Sequence, residues 1–317
     1  MTNEKYKKVK LKGNESFNFR EGWLRKGMRC VLKCPTLFSQ SDVMEQLGVG
    51  SKMVKSIRFW LQACNLSQER IINAGRSRAQ YLTDTFGRII FEYDPFFDDI
   101  FSLFLIHYQI VKNDGFCVVW NLFFNEFNGQ DFTKDEMVEV CEYLLEKKMD
   151  EGCAFSKNSF EDDCASLIKM YAKEDDATNV YDRGMAKTSA QHPEESLTCP
   201  LVDLGLLQRS SKVKGAYIKT SPSRTELDKL VVLYVIMDNL ASTQKTSVSV
   251  DDLQKAQNNI GRVFNMDRVM INEYLDQLRI SGYLTLNRTA GLDMVYVDSI
   301  ISPSDIMKDY YESAKGK

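Results

Sequence analysis

The sequence predicts a mainly α protein with small β-wings: a winged-helix-like module near each end and a helical domain between them. Three observations predict it. A short helix, a glycine turn and a helix with a basic stripe fall at residues 41–64. Two nearly unbroken apolar runs fall at residues 96–127. A helix, helix, helix, hairpin order closes the chain at residues 226–301. The boundaries that follow are 1–95 for the N-terminal module, 96–172 for the helical domain, 173–198 for a linker and 199–317 for the C-terminal module.

Composition agrees. A chain of 317 residues is long enough for about two or three domains and a real hydrophobic core. Hydrophobic residues make up 44 % and charged residues 27 %, as in an ordinary globular protein, so wholesale disorder is excluded. A net charge of -3 excludes a uniformly basic nucleic-acid coat but leaves a local cationic face open. The cations crowd the N-terminus: Lys5, Lys7, Lys8, Lys10 and Lys12, then Arg20, Arg25, Lys26, Arg29 and Lys33. The eight cysteines contain no CxxC pair, and Cys30 with Cys34 has no matching pair downstream. They read as thiols kept reduced in a cytoplasmic protein. No apolar leader follows the first lysines, and the most apolar run, residues 100–111, is too short to span a membrane.

The first module opens with FNFREGWLRKGMRCVLKCP at residues 17–35, where Phe17, Phe19 and Trp23 mix with Arg20, Glu21, Arg25, Lys26 and Arg29. It is either an amphipathic segment packed on the next module or a phosphate-facing patch. A short helix over residues 41–47 then ends at Gly48, which supplies a positive-φ turn. A second helix covers residues 51–64. Val54, Ile57 and Leu61 face inward, while Lys52, Lys55 and Arg58 share the opposite side. That is helix-turn-helix logic, although any solvated helix can carry such a stripe. Residues 81–95 read as a turn and an extended wing closed by Pro95.

In the helical domain, Thr133 with Glu136 forms a capping box, and Ser159 with Asp162 repeats the signal. The polar linker is broken by Gly184 and Pro193, and its His192 suggests no chemistry. Leu201, Leu204, Leu206 and Leu207 resume packing. Lys212, Lys214, Lys219 and Arg224 then form a second cationic surface or a solvated loop. In the last module Ser249 caps a helix from Val250. Val269, Tyr274 and Leu278 lie on one helical face, and residues 283–286 and 294–297 pair around Gly291. Asp267, Glu273 and Asp276 stand beside Arg268 and Arg279, which suits protein docking as well as DNA.

The strongest carboxylate group is EYDPFFDD, with Glu92, Asp94, Asp98 and Asp99. Pro95 suits the first position of a helix, and acids there complement its N-terminus. The same acids could instead hold Mg²⁺ for phosphodiester cleavage, with Asp94 and Asp98 as ligands and Asp99 beside them. His107, about two turns further on, is then either an acid/base group or a core histidine. No GxGxxG, Walker lysine, HExxH or GxSxG motif is present, which disfavours ATP hydrolysis, dinucleotide redox and serine hydrolysis.

Six segments carry a family resemblance: FNFREGWLRKG, LGVGSKMVKSIRFWL, LTDTFGRIIFEYDPFFDD, LFLIHYQI, FFNEF and CPLVDLGLL. Together they span about residues 17–207. They resemble a bacterial family first catalogued as a conserved domain of unknown function, which looks like the B component of the single-strand DNA phosphorothioation system. One departure is SLFLIH at residues 102–107, where the family often reads TLWLLH. The resemblance implies a DNA-nicking protein of phage defence. It implies work on double-stranded DNA beside a cysteine desulfurase, an ATPase and a sulfurtransferase. Arg20, Lys26, Lys52, Lys55 and Arg58 become the preferred DNA-contact set, with Arg25 next to them. A non-enzymatic adaptor, a winged-helix transcription regulator and a homodimeric assembly stay open.

Overall fold

The structure, a computed structural model, describes residues 6–72, 75, 77–173, 198–289 and 292–315. All but the ends of the expected linker lies outside those residues, as do His192 within it and Gly291 of the expected C-terminal turn.

Helices α1 (Trp23–Lys33), α2 (Val43–Leu47) and α3 (Ser51–Ala63) open the fold. Gly48 ends α2 at φ 61°, the left-handed turn that its lack of a Cβ permits. Val54, Ile57 and Leu61 are buried, as their spacing requires. A Cβ built on Gly27 would stand 2.8 Å from Ile57 Cγ2 and 2.9 Å from Leu61 Cδ1, so α1 lies hard against α3 at this glycine.

The expected extended wing at residues 81–95 is corrected. The hairpin comes earlier, with β1 (Ser67–Ile72) antiparallel to β2 (Ser77–Leu82) and Ser67 opposite Leu82. The chain then turns into helix α4 (Gly87–Tyr93). Thr83 Oγ1 starts that helix by accepting the Gly87 N–H at 2.7 Å while donating to Asn65 O. A short apolar run such as GRIIF does not distinguish helix from strand by period alone.

Helices α5 (Ile100–Lys112), α6 (Val118–Asn125), α7 (Lys134–Lys148) and α8 (Lys157–Tyr171) follow. The Thr133–Glu136 capping box is present in both directions. The second cap is Ser156 rather than Ser159, whose backbone N–H it accepts at 3.3 Å. An arm from Tyr6 to Asn18 is fastened across α8 and the end of α7. Tyr6 bridges to Met149, the Lys12 N–H reaches Asp163 Oδ2 at 2.9 Å, and Asn14 donates to Ser166 Oγ at 2.8 Å.

Strands β3 (Asp131–Thr133), β4 (Leu207–Arg209) and β5 (Ala216–Lys219) form a sheet of order β3-β5-β4. Here the cationic-surface reading of Lys219 is corrected. Its buried amine donates to Phe123 O at 2.6 Å and Phe127 O at 2.8 Å, and burial lowers its pKa to about 7. Arg224 is exposed but paired with Glu273 at 2.5 Å.

The C-terminal part comprises α9 (Lys229–Thr243), β6 (Ser247–Ser249), α10 (Val250–Lys255), α11 (Ile260–Val263), α12 (Arg268–Ile280), β7 (Thr285–Thr289) and β8 (Leu292–Tyr296). Its sheet order is β6-β8-β7, and Ser249 caps α10. The inward face of α12 carries Met270, Ile271, Tyr274, Leu275 and Leu278, whereas Val269 is 62 % exposed and off that face. A last helix that the sequence pattern did not signal, α13 (Pro303–Lys315), folds back on α4 and α9.

Buried side chains from Phe19 to Tyr311 form one continuous cluster. All eight cysteines are free, six of them buried. Among the described residues no helix is long and apolar enough to cross a membrane. The Gly27 contact yields a stability prediction. Gly27→Ala forces α1 off α3 and costs about 1–3 kcal/mol by overpacking. Urea denaturation followed by circular dichroism should show a lower midpoint; an unchanged midpoint would refute the close approach.

Candidate functional site

The basic stripe of α3 divides. Lys52 and Lys55 are exposed, with Lys55 Nζ 3.2 Å from Glu15 Oε1. Arg58 is half-buried and turned sideways onto Glu69 of β1, whose other oxygen accepts from Arg78 of β2 at 3.1 Å. Arg58 therefore differs from the exposed reader expected of it: the hairpin packs beside α3, and the guanidinium ties the two together. Arg78 and Arg70 extend the cationic surface onto the hairpin, Arg70 lying 5.4 Å from the Tyr81 ring centroid. Ile71 beside them is 69 % exposed. Sequence reasoning missed these residues. The available signal was SQERII and SRAQYL flanking a glycine-containing turn, which is hairpin patterning.

The FREGW segment lies close by. Arg20 is 9 % exposed and sits 5.3 Å from the Trp23 ring centroid and 6.0 Å from that of Phe17. The Arg25 guanidinium lies 3.7 Å over Phe96. Lys26 Nζ would be 3.9 Å from a Cβ on Gly48, so it reaches the turn between α2 and α3. Behind these residues is a cleft of about 380 Å³, lined by Phe19, Arg20, Glu21, Phe96, Asp98 and Asp203 among others. Four of the segments that carry the family resemblance thus converge on one cavity.

The acid loop is built around Asp94, and here the helix expected from Pro95 is corrected. The chain makes a tight turn with Phe97 at φ 61°, and α5 starts at Ile100. Asp94 is buried. Its Oδ1 accepts the Asp98 N–H at 3.0 Å, and its Oδ2 accepts the Asp99 N–H at 3.3 Å and the Ser102 hydroxyl. Burial raises its pKa, against the pull of those hydrogen bonds. Asp99 Oδ1 caps α5 through the Phe101 N–H at 2.9 Å and accepts Tyr310 OH at 3.0 Å. Asp98 and Glu92 are exposed, and Asp98 lines the cleft. Both Asp94 oxygens are engaged by the loop, so an ion at the expected Asp94–Asp98 pair would share Asp94 with those donors. Among the described residues no three His, Cys, Asp or Glu side chains converge to hold an ion.

His107 is placed apart from these acids, about 12 Å along α5 from Asp99 at 1.5 Å per residue. It is fully buried. Nε2 lies 2.8 Å from Val263 O, and Nδ1 lies 2.8 Å from Tyr171 OH. A carbonyl can only accept, so Nε2 carries the proton and Nδ1 accepts from the tyrosine. Burial lowers the pKa of His107 to about 4, so the ring is neutral at pH 7. The unfolded chain, with a histidine near its ordinary 6.5, binds the extra proton between pH 6.5 and 4. The stability that His107 lends is therefore complete above pH 6.5 and is lost as pH falls through that window, a difference of about 3 kcal/mol. The stability gap between the wild type and His107→Gln should narrow on acidification from pH 7 to 4. A constant gap would show that His107 is not held neutral.

Two solved structures share this fold. One, named "SspB crystal structure", superposes with a TM-score of 0.82 at 24 % identity, over 99 % of this chain and 91 % of that one. The other, named "Magnesium ion-bound SspB crystal structure", also gives 0.82 and 24 %, over 98 % and 90 %. No curated protein matches the chain. The family match spans residues 11–311, covering the cleft, the acid loop, the basic face and most of the last helix, and on that ground the chain belongs to the DUF4007 family, described as protein of unknown function.

Proposed function

We propose that this protein is a DNA-binding component of a DNA phosphorothioation system, holding duplex DNA against α3 and the β1–β2 hairpin. The observation that carries the reading is the cationic face that runs from Lys52 and Lys55 across the Arg58–Glu69–Arg78 bridge onto the hairpin. The order helix, helix, helix, hairpin is that of a winged helix, which lays one helix in the major groove. Cations so placed meet phosphates, and phosphate contacts supply most of non-specific affinity. The system is inferred from the family resemblance and from the fold shared with structures named SspB. On that inference the partners are a cysteine desulfurase, an ATPase and a sulfurtransferase.

Strand nicking is the finer reading. It is favoured by the cleft, which holds exposed Asp98 near Arg20. A carboxylate there would accept a proton from attacking water, and a guanidinium would offset charge on the phosphate. Magnesium is part of the name of one structurally similar protein. Asp98 and Arg20 are the groups of the cleft that would carry the chemistry.

Two measurements test these readings. In a salt titration of duplex binding, Lys52→Ala and Lys55→Ala should each flatten the slope of log K against log salt by about 0.9. Arg58→Ala should weaken binding with a smaller slope change, because its guanidinium holds the hairpin. Unchanged slopes in both lysine variants would remove the DNA face. For nicking, supercoiled plasmid should convert to open circle, and Asp98→Asn should slow conversion by about 10²-fold or more, the scale of a lost general base. Binding without conversion would leave a non-enzymatic adaptor, and tight binding confined to one promoter sequence a regulator.

A further inference from the structure

The ring of Phe96 is 51 % exposed at the mouth of the cleft. The Arg25 guanidinium lies 3.7 Å from its centroid. One face is therefore covered, and the exposure belongs to the other face and the edge. A ring held from behind by a cation is a ready stacking surface for a second planar group. The cavity beside it, about 380 Å³, is within the size range of pockets that enclose small molecules.

The polar rim identifies what kind of planar group fits. Asp98, Glu21 and Asp203 line the cleft as exposed carboxylates, and Arg20 is the buried cation among them. The three carboxylates are hydrogen-bond acceptors. They accept hydrogen bonds from the amino group of a base, as acidic side chains do from cytosine N4. Arg20 can donate to a ring nitrogen or carbonyl on the same edge. The location agrees with this. Arg25 backs the Phe96 ring, and the next residue, Lys26, reaches the Gly48 turn of the DNA-binding helices.

We propose that this cleft takes one unpaired, amino-bearing nucleobase, stacked on the open face of Phe96 with its hydrogen-bonding edge toward Asp98 and Glu21. The inference rests on the reading that the protein binds DNA, and deepens it: the duplex lies on α3 and the hairpin, and a base out of its stack is held one helix away.

The test uses the full chain and three probes in parallel: a duplex, single-stranded oligo-dC and single-stranded oligo-dT. An oligo-dC carrying 5-iodocytosine is irradiated and the adduct mapped by mass spectrometry. The adduct should map to Phe96, and oligo-dC should bind more tightly than oligo-dT. Phe96→Ala should abolish the adduct and weaken oligo-dC binding by about 5- to 100-fold, the scale of one lost base–aromatic stack. It should leave duplex affinity unchanged, and Phe96→Trp should restore the adduct. Asp98→Asn should narrow the preference for oligo-dC. An adduct mapped elsewhere, equal affinity for the two oligonucleotides, or wild-type oligo-dC affinity in Phe96→Ala would overturn the pocket while duplex binding stands. Absence of duplex binding by the wild type would instead overturn the DNA reading, and the pocket with it.

Discussion

Helix α5 is buried on every face from Phe101 to Val111, and the rest of the structure follows from that constraint. A helix with no side left for water must be sheathed by other elements. Its polar side chains must also find partners, because an unpaired polar group in such a place costs about 1–3 kcal/mol. Each finds one in a different part of the chain. Ser102 meets Asp94 and Tyr311, and His107 meets Tyr171 and Val263. Tyr108 donates to Asp238 at 2.6 Å, and Gln109 donates to Tyr234 and accepts from Asn65. One helix thereby sets the positions of the N-terminal helices, of α8 and of the C-terminal part.

The same constraint explains why the acid loop resembles a catalytic site in sequence. The chain must turn sharply into a helix that it is about to bury, and a carboxylate is well suited to gathering the backbone N–H groups of that turn. Asp94 binds the loop and Asp99 caps α5, while Tyr310 and Tyr311 of α13 close over both. Asp98 is left outward because its backbone, rather than its side chain, does the holding. Lys219 serves a comparable end elsewhere, its amine donating to one carbonyl in the last turn of α6 and to one just past it.

The proposed DNA face and the cleft are brought together by the closeness of α1 and α3. At Gly27 the backbone of α1 meets the Ile57 and Leu61 side chains of α3 with no side chain of its own between, so the two helices lie close. Arg25 then backs Phe96 while Lys26 reaches the α2–α3 turn. A net charge of -3 is no obstacle to the proposed binding, since the field a nucleic acid would meet is local.

The sequence by itself determined the helices whose apolar spacing is regular, the glycine turn at Gly48, the Thr133 and Ser249 caps and the inward triplet Val54, Ile57 and Leu61. These depend on neighbours three or four residues apart, which a linear reading contains. It also picked out the segments that surround the cleft, but not that they meet. Tertiary structure alone decided that Arg58 bends to Glu69, that Lys219 is buried, that His107 is locked between α8 and α11, and that α13 returns to cover the acid loop. Each depends on a partner distant in the chain or on a packing face with no local periodic mark. Whether a charge is a ligand, a cap or a surface group is set by which atoms surround it, and that became legible only when the chain had folded.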